Sequence, residues 1–492
     1  MKLKDLIRDK IFSDCTLDIK GLTEDSREVK KDYIFFLKIS TDLKEKFILE
    51  AIKNGSKLII YRKNNILDTN KYKNQAIFYR VDSIDNYMLK VSEKFYACNK
   101  NLIKIYGVTG TNGKTTVTQF IAQLLNQEKK KCGIIGTIGN GIYPNLKYEG
   151  LTTPNIININ KYIKKFSDKD VQNVAMEVSS HAISQKRVHG LNFDTVIFTN
   201  LSQDHLDYHK SMKVYFREKF KLFSEYKNKK KVICIDCVYG KKIARNFFND
   251  KNLVTVSLKN SDADFYADHI KYNESGLIFK IQSKFGSREV LLNLYGNFTI
   301  INILLSLAAI TCSKKTYNTH IDNILKISQA KGRMNILKKN GYPLVFIDYA
   351  HTPGAIKNVL LSVKKHFPNK QVITVFGCGG ERDRNKRKKM GEIVNKYSDE
   401  IIITNDNPRG ETPINIAKDI KTGISVIEKC RTILDRRRAI KKAISKKNSN
   451  KLVLILGKGH EQIQLLKNKT INISDEFEVK KIFSWINIIY RI

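Results

Sequence analysis

The chain has 492 residues, 42% of them hydrophobic, with 88 Lys and Arg against 48 Asp and Glu and a formal net charge of +40. That length asks for about three domains, because single cores stop growing near ~250–300 residues. No apolar run approaches the ~20 residues of a bilayer span, and the opening MKLKDLIRDKIF has neither the apolar core nor the cleavage site of a signal peptide, so a cytoplasmic protein without membrane contact is expected. The basic excess is lysine spread along a chain rich in Ile and Asn, with no concentrated basic arm and no RNP-type aromatic motif. It marks composition and a local need for anionic ligands, and excludes specific nucleic-acid recognition while leaving non-specific RNA binding at low salt. Eight cysteines are scattered, and only Cys234 and Cys237 form a CxxC, inside the apolar run KVICIDC without a second pair. Reduced core thiols are favoured there over a zinc or redox site.

Residues 1–97 mix short apolar runs (33–38, 57–61, 76–81) with a helical stretch at 42–54, the pattern of a small α/β domain. Asp25-Ser26-Arg27 before an extended run is a polar turn able to hold a ligand, though alone it reads as a surface turn.

The segment IKIYGVTGTNGKTTVTQFIAQLL, 103–125, follows. An apolar strand meets a Gly-rich turn and then apolar residues at helical spacing, which predicts a phosphate-binding loop in the short form Gly110-x-x-Gly113-Lys114-Thr115. Backbone N–H groups close around a polyphosphate, Lys114 reaches its terminal groups, and Thr115 can ligate magnesium.

From about 98 to 329 strand and polar loop alternate through CGIIGTIG, NVAMEVSSHA, FDTVIFTNLSQDHLDYH and KVICIDC, predicting a mostly parallel sheet. Ligands in such sheets sit at the carboxyl ends of the strands, so Glu177, His205 and Asp207 should converge on the phosphate loop as magnesium ligands or their supports. Residues 330–492 repeat the alternation in PLVFIDYAHTP, VITVFGCGGERD, EIIITNDNPRG and LVLILGKGHE. Thr352-Pro353 reads as an N-cap and first residue of a helix to about Phe367. Arg382, Arg384 and Arg409 at strand ends predict an anionic ligand, because guanidinium pairs bidentately with carboxylate or phosphate.

Taken in order, GTNGKTT, LTTPN, EVSSHA, TNLSQDHLDYH, GRMN, DYAHTP, GCGGERD, DNPR and GKGHE resemble the Mur ligases of peptidoglycan synthesis, in the branch that ligates 2,6-diaminopimelate. The resemblance runs from Asp25 to Glu478 and is weakest in the first domain, where the Gly-rich segment expected at 39–46 reads ISTDLKEK. It implies an α/β protein of three domains. These are a UDP-substrate domain (1–97), a central P-loop ATPase with a mostly parallel sheet (98–329) and a Rossmann-like amino-acid domain (330–492). It implies ATP on Gly110, Thr111, Asn112, Gly113, Lys114, Thr115 and Thr116, with Asn302, Arg333 and Asp348 meeting the nucleotide, and magnesium served by Thr115, Glu177, His205 and Lys219. Lys219 falls where the family carries a carbamylated lysine, N6-carboxylysine; Lys114, Lys219 and His205 are then the catalytic candidates. Ser26, Thr152, Thr153, Ser179, Gln185 and Arg187 would hold UDP-N-acetylmuramoyl-L-Ala-D-Glu. Arg382, Asp406, Asn407, Pro408, Arg409, Gly457 and Glu461 would hold meso-diaminopimelate, with Arg409 on the carboxylate that lysine lacks. The implied reaction is ATP-dependent amide formation at the D-Glu γ-carboxylate through an acyl phosphate, by a monomer. Folylpolyglutamate and cyanophycin synthetases share GTNGK, but the pairing of EVSSHA with DNPR argues against both. From a different class, a nucleic-acid-dependent P-loop ATPase remains as the rival that the charge suggests.

Overall fold

Apolar strands ending in polar loops build three main sheets in succession along the chain, with a small hairpin of Ile463–Leu465 and Thr470–Asn472 near the end of the described residues. The structure, a computed structural model, describes residues 1–38, 44–64, 67–72, 74–97, 103–445 and 450–484. The first sheet is parallel and runs Gly21–Thr23, Tyr33–Leu37, Leu58–Arg62, Ile77–Val81 in spatial order. The last three strands fall where the apolar runs predict them, and the edge strand Gly21–Thr23 is one that the runs do not predict. The helix expected at 42–54 is Lys44–Lys53, while residues 39–43, most of the divergent ISTDLKEK stretch, lie outside the described residues.

The central sheet has a parallel heart. Strands Cys132–Gly136, Asn173–Glu177, Lys104–Thr109, Phe193–Phe198, Asn228–Cys234 and Leu253–Ser257 are neighbours in that order. The phosphate-loop strand therefore lies between the strands that end in Glu177 and in Phe198, just before the DHLDYH motif. Antiparallel hairpins extend both edges, Gly139–Ile142 with Asn145–Lys147 on one side and Phe265–Asn273, Gly276–Ser283, Gly286–Leu292 on the other. Helix Asn297–Ile310 is apolar almost all round and correspondingly buried, packed on the phosphate-loop helix Lys114–Gln127. Asn302 is one of its few polar residues.

The third sheet orders Asn335–Leu337, Leu344–Asp348, Lys451–Leu456, Gln371–Phe376, Glu400–Ile403 and Cys430–Thr432, parallel except for the first pair. Residues Thr352 and Pro353 behave as the sequence predicts: the Thr352 hydroxyl accepts the Ala355 N–H and the helix Pro353–His366 follows. Thr352 is fully buried, so Thr352→Ala leaves a helix N–H without a partner. It is expected to lower unfolding free energy by about 1–2 kcal/mol in a urea titration, with little change in slope.

Candidate active site

The phosphate loop is shaped by what lies behind it. Gly113 opens the helix at φ +89, and a Cβ there would stand 2.6 Å from Asn302 Oδ1, so a side chain is excluded both by backbone conformation and by the helix beneath. Asn112 is pinned from below, its N–H donating to Asn200 Oδ1 at 3.0 Å and its carbonyl accepting from Thr199 Oγ1 at 2.6 Å. Lys114 curls back over the loop, its ammonium donating to the Gly110 and Thr111 carbonyls at 2.9 Å each. Burial lowers its pKa, while the Glu177 and Asp204 charges favour the ammonium. Thr115 Oγ1 donates to Glu177 Oε2 at 3.0 Å and accepts from Arg333 Nη2 at 3.1 Å, so the loop hydroxyl, a buried carboxylate and a guanidinium from the C-terminal side meet at one point.

Glu177 ends its strand fully buried, and also accepts from the Thr137 N–H at 2.8 Å. His205 stands at φ +54, its imidazole lowered to about 3, chiefly by burial and against the pull of Asp204. Asp207, read from sequence as the acid of this motif, is exposed; the buried acid is Asp204. Lys219 projects from helix Met212–Ser224 into the core, 1% exposed, with Nζ donating to the Gly110 carbonyl at 2.9 Å and lying 4.8 Å from the Tyr215 ring centroid. No carboxylate pairs with it among the described residues, and burial and the Lys114 charge hold its pKa well below that of free lysine. A buried amine driven towards neutrality is chemically what carbon dioxide adds to. The hydroxyl of Thr115 and the carboxylate of Glu177 are the hard oxygen donors that magnesium takes, and they fit that ion.

Beside the loop a cavity of about 580 Å³ opens between the central and C-terminal sheets, lined by Asn112, Gly113, Thr116, Asn302, Arg333 and Asp348 among others. Arg333 stacks on Tyr349 with its guanidinium carbon 4.4 Å from the ring centroid. Asp348 accepts the Met334 and Ala350 N–H groups at 2.7 Å each, which ties the GRMN turn to the DYAHTP strand end.

On the other side of Glu177, the residues attributed to the dipeptide form one bonded cluster. Thr153 Oγ1 donates to the Glu177 carbonyl at 2.8 Å and lies 3.3 Å from Ser179 Oγ. Arg187 donates to the Thr153 carbonyl at 3.0 Å and to Gln185 Oε1 at 2.6 Å, and Thr152 Oγ1 lies 3.0 Å from Thr137 Oγ1. Ser26 differs: its hydroxyl is buried against the Glu50 carboxylate, while Arg27 pairs with Asp25.

The C-terminal strand ends make a second polar floor. Arg436 and Asp475, both fully buried, form a bidentate pair, and Arg436 also donates to the carbonyls of Asn405 and Leu456, pinning the two strand ends that carry Asp406 and Gly457. Gly457 sits at φ +109 with Asp406 Oδ2 2.4 Å from where a Cβ would be. Asn407 Nδ2 donates to Glu461 Oε2 at 2.9 Å, and the fully buried Lys458 donates to the same oxygen at 2.8 Å. Glu461 thus has one cation already beside it. Arg409 follows Pro408 at φ +52, and its guanidinium donates to the Gly380 and Asn407 carbonyls, at 2.8 and 3.4 Å; no carboxylate pairs with it among the described residues. Arg382 is exposed on the neighbouring loop. Arg384 does not join them: it is exposed and bound in-plane to Asp419 at 2.7 and 3.0 Å, a surface pair and not a ligand group. Lys458, Asp204 and Tyr349 are site residues that motif reading passed over, although each lies inside a quoted motif.

The phosphate loop, its buried carboxylate and the adjoining cavity define a phosphoryl-transferring α/β enzyme. Residues 108–310 match the Mur ligase middle domain and residues 332–459 the Mur ligase, glutamate ligase domain. The chain is 40% identical over 467 residues to the UDP-N-acetylmuramoyl-L-alanyl-D-glutamate-2,6-diaminopimelate ligase of Wigglesworthia glossinidia brevipalpis, covering 92% of each. A solved structure bearing the same ligase name superposes with a TM-score of 0.65 at 29% identity, covering 99% of each chain. MurF ligase from Thermotoga maritima in complex with ADP shares the fold, with a TM-score of 0.63 at 18% identity over 96% of this chain and 99% of that one. The chain belongs to the Mur ligase family.

Proposed function

We propose that this protein joins meso-2,6-diaminopimelate to the D-Glu γ-carboxylate of UDP-N-acetylmuramoyl-L-Ala-D-Glu at the expense of ATP, in peptidoglycan synthesis. The ligase name of its 40%-identical relative supports the reading, and so does the ADP complex named for the MurF neighbour. The observation that carries the choice of amino acid is Arg409, a guanidinium at a strand end with carbonyls for partners and, among the described residues, no carboxylate. We take 1–97, 98–329 and 330–492 as the domains for the UDP end, for ATP and for the amino acid. The protein acts in the cytoplasm as a monomer; among the described residues no helix is long and apolar enough to cross a membrane.

Amide formation from a carboxylate and an amine is uphill in water, so the carboxylate is activated first. A γ-carboxylate oxygen attacks the terminal phosphorus of ATP and ADP departs; the amine nitrogen then attacks the acyl carbon, phosphate leaves, and the nitrogen loses its proton. Thr152, Thr153, Ser179, Gln185 and Arg187 hold the muramoyl dipeptide beside Glu177, while Ser26 holds the UDP end. Lys114 exchanges its loop carbonyls for phosphoryl oxygens and offsets the repulsion between carboxylate and polyphosphate. Asn302, Arg333 and Asp348 take the nucleoside side of the cavity. Thr115, Glu177, His205 and the carbamate of Lys219 would hold magnesium, which when bound neutralises phosphoryl charge. Arg382, Asp406, Asn407, Pro408, Gly457 and Glu461 complete the amino-acid site around Arg409, and closure of the C-terminal domain over the site keeps water from the acyl phosphate.

Bound L-lysine leaves Arg409 desolvated and without its carboxylate, so kcat/KM should favour meso-diaminopimelate strongly. In Arg409→Ala the KM for meso-diaminopimelate is expected to rise roughly 10- to 150-fold, the worth of a charged hydrogen-bonded pair of about 1.5–3 kcal/mol, with kcat changed less. Steady-state kinetics with both amino acids test this. Equal kcat/KM for the two in the parent enzyme contradicts the reading of the loop.

A further inference from the structure

Two residues of the central domain, Gln203 and Asp204, reach across to the C-terminal domain. Gln203 Nε2 donates to Asp383 Oδ2 at 3.1 Å, and its amide oxygen accepts from Lys389 Nζ at 2.7 Å. Asp204, 5% exposed, has Lys386 Nζ 3.7 Å from one carboxylate oxygen and His351 Nε2 3.7 Å from the other. The same carboxylate accepts the backbone N–H of His205 at 3.0 Å and lies 3.3 Å from its Nε2. One carboxylate therefore grips His205 from two sides while facing the Lys386 ammonium and the His351 imidazole of another domain.

Lys386 is an odd residue in its own setting. It is the first residue of helix Lys386–Tyr397, the end where the helix dipole disfavours a cation, and its side chain is only 6% exposed. A buried ammonium there is costly unless something compensates it, and among the described residues Asp204 is the carboxylate within ion-pair distance. Its neighbour Arg387 is anchored the other way, into its own domain, through Glu411 and Asp419 at 2.8 and 2.9 Å. Consecutive residues thus tie one helix start both to the C-terminal domain and to the loop that carries His205. The loop leading into that helix carries Arg382, four residues before Lys386.

We infer that Asp204 and Lys386 form a closure latch, a cross-domain pair that sets His205 in place only when the amino-acid domain is docked. Both are positioning residues. The latch makes completion of the phosphate site conditional on the position of the loop that engages the amino acid, so phosphoryl transfer is restrained while that domain is away. The inference rests on the ligase reading for its consequence, and on the contacts alone for the coupling.

The test pairs kinetics with hydrogen exchange on the full-length protein. Lys386→Met is expected to lower kcat roughly 10- to 100-fold while the KM values for ATP and for the UDP-dipeptide stay within about threefold, and Lys386→Arg is expected to recover most of the loss. Asp204→Asn should behave like Lys386→Met, and the double variant should be little worse than either single one. Independently of turnover, Lys386→Met should speed amide exchange in residues 200–209, a segment of the other domain. Multiplicative losses in the double variant, a loss seen in KM and not in kcat, or unchanged exchange at 200–209 would each overturn the latch. Absence of meso-diaminopimelate-dependent turnover in the parent would instead count against the ligase reading, and the exchange result would still judge the latch.

Discussion

Lys114→Ala is expected to fold as the parent does and to lose ~10²- to 10³-fold in kcat. The ammonium makes two hydrogen bonds, both to carbonyls of the loop itself, and no carboxylate lies within ion-pair distance of it among the described residues. Its removal therefore leaves no buried anion unpaired, and the thermal transition should move little. The cost falls on the transition state. As a carboxylate oxygen approaches the terminal phosphorus, negative charge accumulates beside a cation held in place by the loop, which counts for more there than it does in solution. The KM for ATP should rise by a smaller factor, since the loop N–H groups and the nucleoside cavity remain. Turnover within threefold of the parent, in a phosphate-release assay at saturating substrates, means the loop does not handle phosphate.

Lys219→Ala is expected to lose most activity, on the same ~10²-fold scale, for a different reason. The side chain is fully enclosed, touches the Gly110 carbonyl and the Tyr215 ring, and lies close enough to Lys114 for the two charges to repel. On the proposed reading, magnesium would bind beside this side chain, where an unmodified ammonium would add a second cation, and carbamylation would turn it into an anion. Bicarbonate should not restore Lys219→Ala, because the amine is gone, whereas formate or acetate diffusing into the vacated space should restore part of the rate. Density for an unmodified lysine in crystals of active, magnesium-loaded enzyme contradicts this account.

How much of this is legible in the chain depends on whether a residue's role is local. The phosphate loop is legible because strand, glycines, lysine and helix are contiguous, and the Thr352 cap because N-cap and proline are adjacent. Lys219 is not: among many lysines nothing local distinguishes the one helix position that faces Gly110, and only the resemblance singles it out. The run RDRNKR contains Arg382, Arg384, Lys386 and Arg387, and charge alone cannot separate the exposed pair with Asp419 from the buried cation at the domain boundary. In DHLDYH two aspartates are equally plausible acids; Asp204 is chosen by the C-terminal domain packing over it, a contact between residues far apart in sequence. The antiparallel strands at 265–292 do alternate buried and exposed residues, yet the alternation is interrupted by polar residues that pair across the hairpin, so a parallel sheet alone is what the strand–loop rhythm suggests.

The central claim is that ATP activates the substrate carboxylate as an acyl phosphate. It is tested most directly by labelling the γ-carboxylate of UDP-N-acetylmuramoyl-L-Ala-D-Glu with heavy oxygen and measuring the mass of the phosphate released. The account predicts that release requires the UDP-dipeptide and meso-diaminopimelate together, and that each phosphate carries one labelled oxygen from the carboxylate. Unlabelled phosphate, or release driven by RNA in place of the UDP-dipeptide, would contradict it.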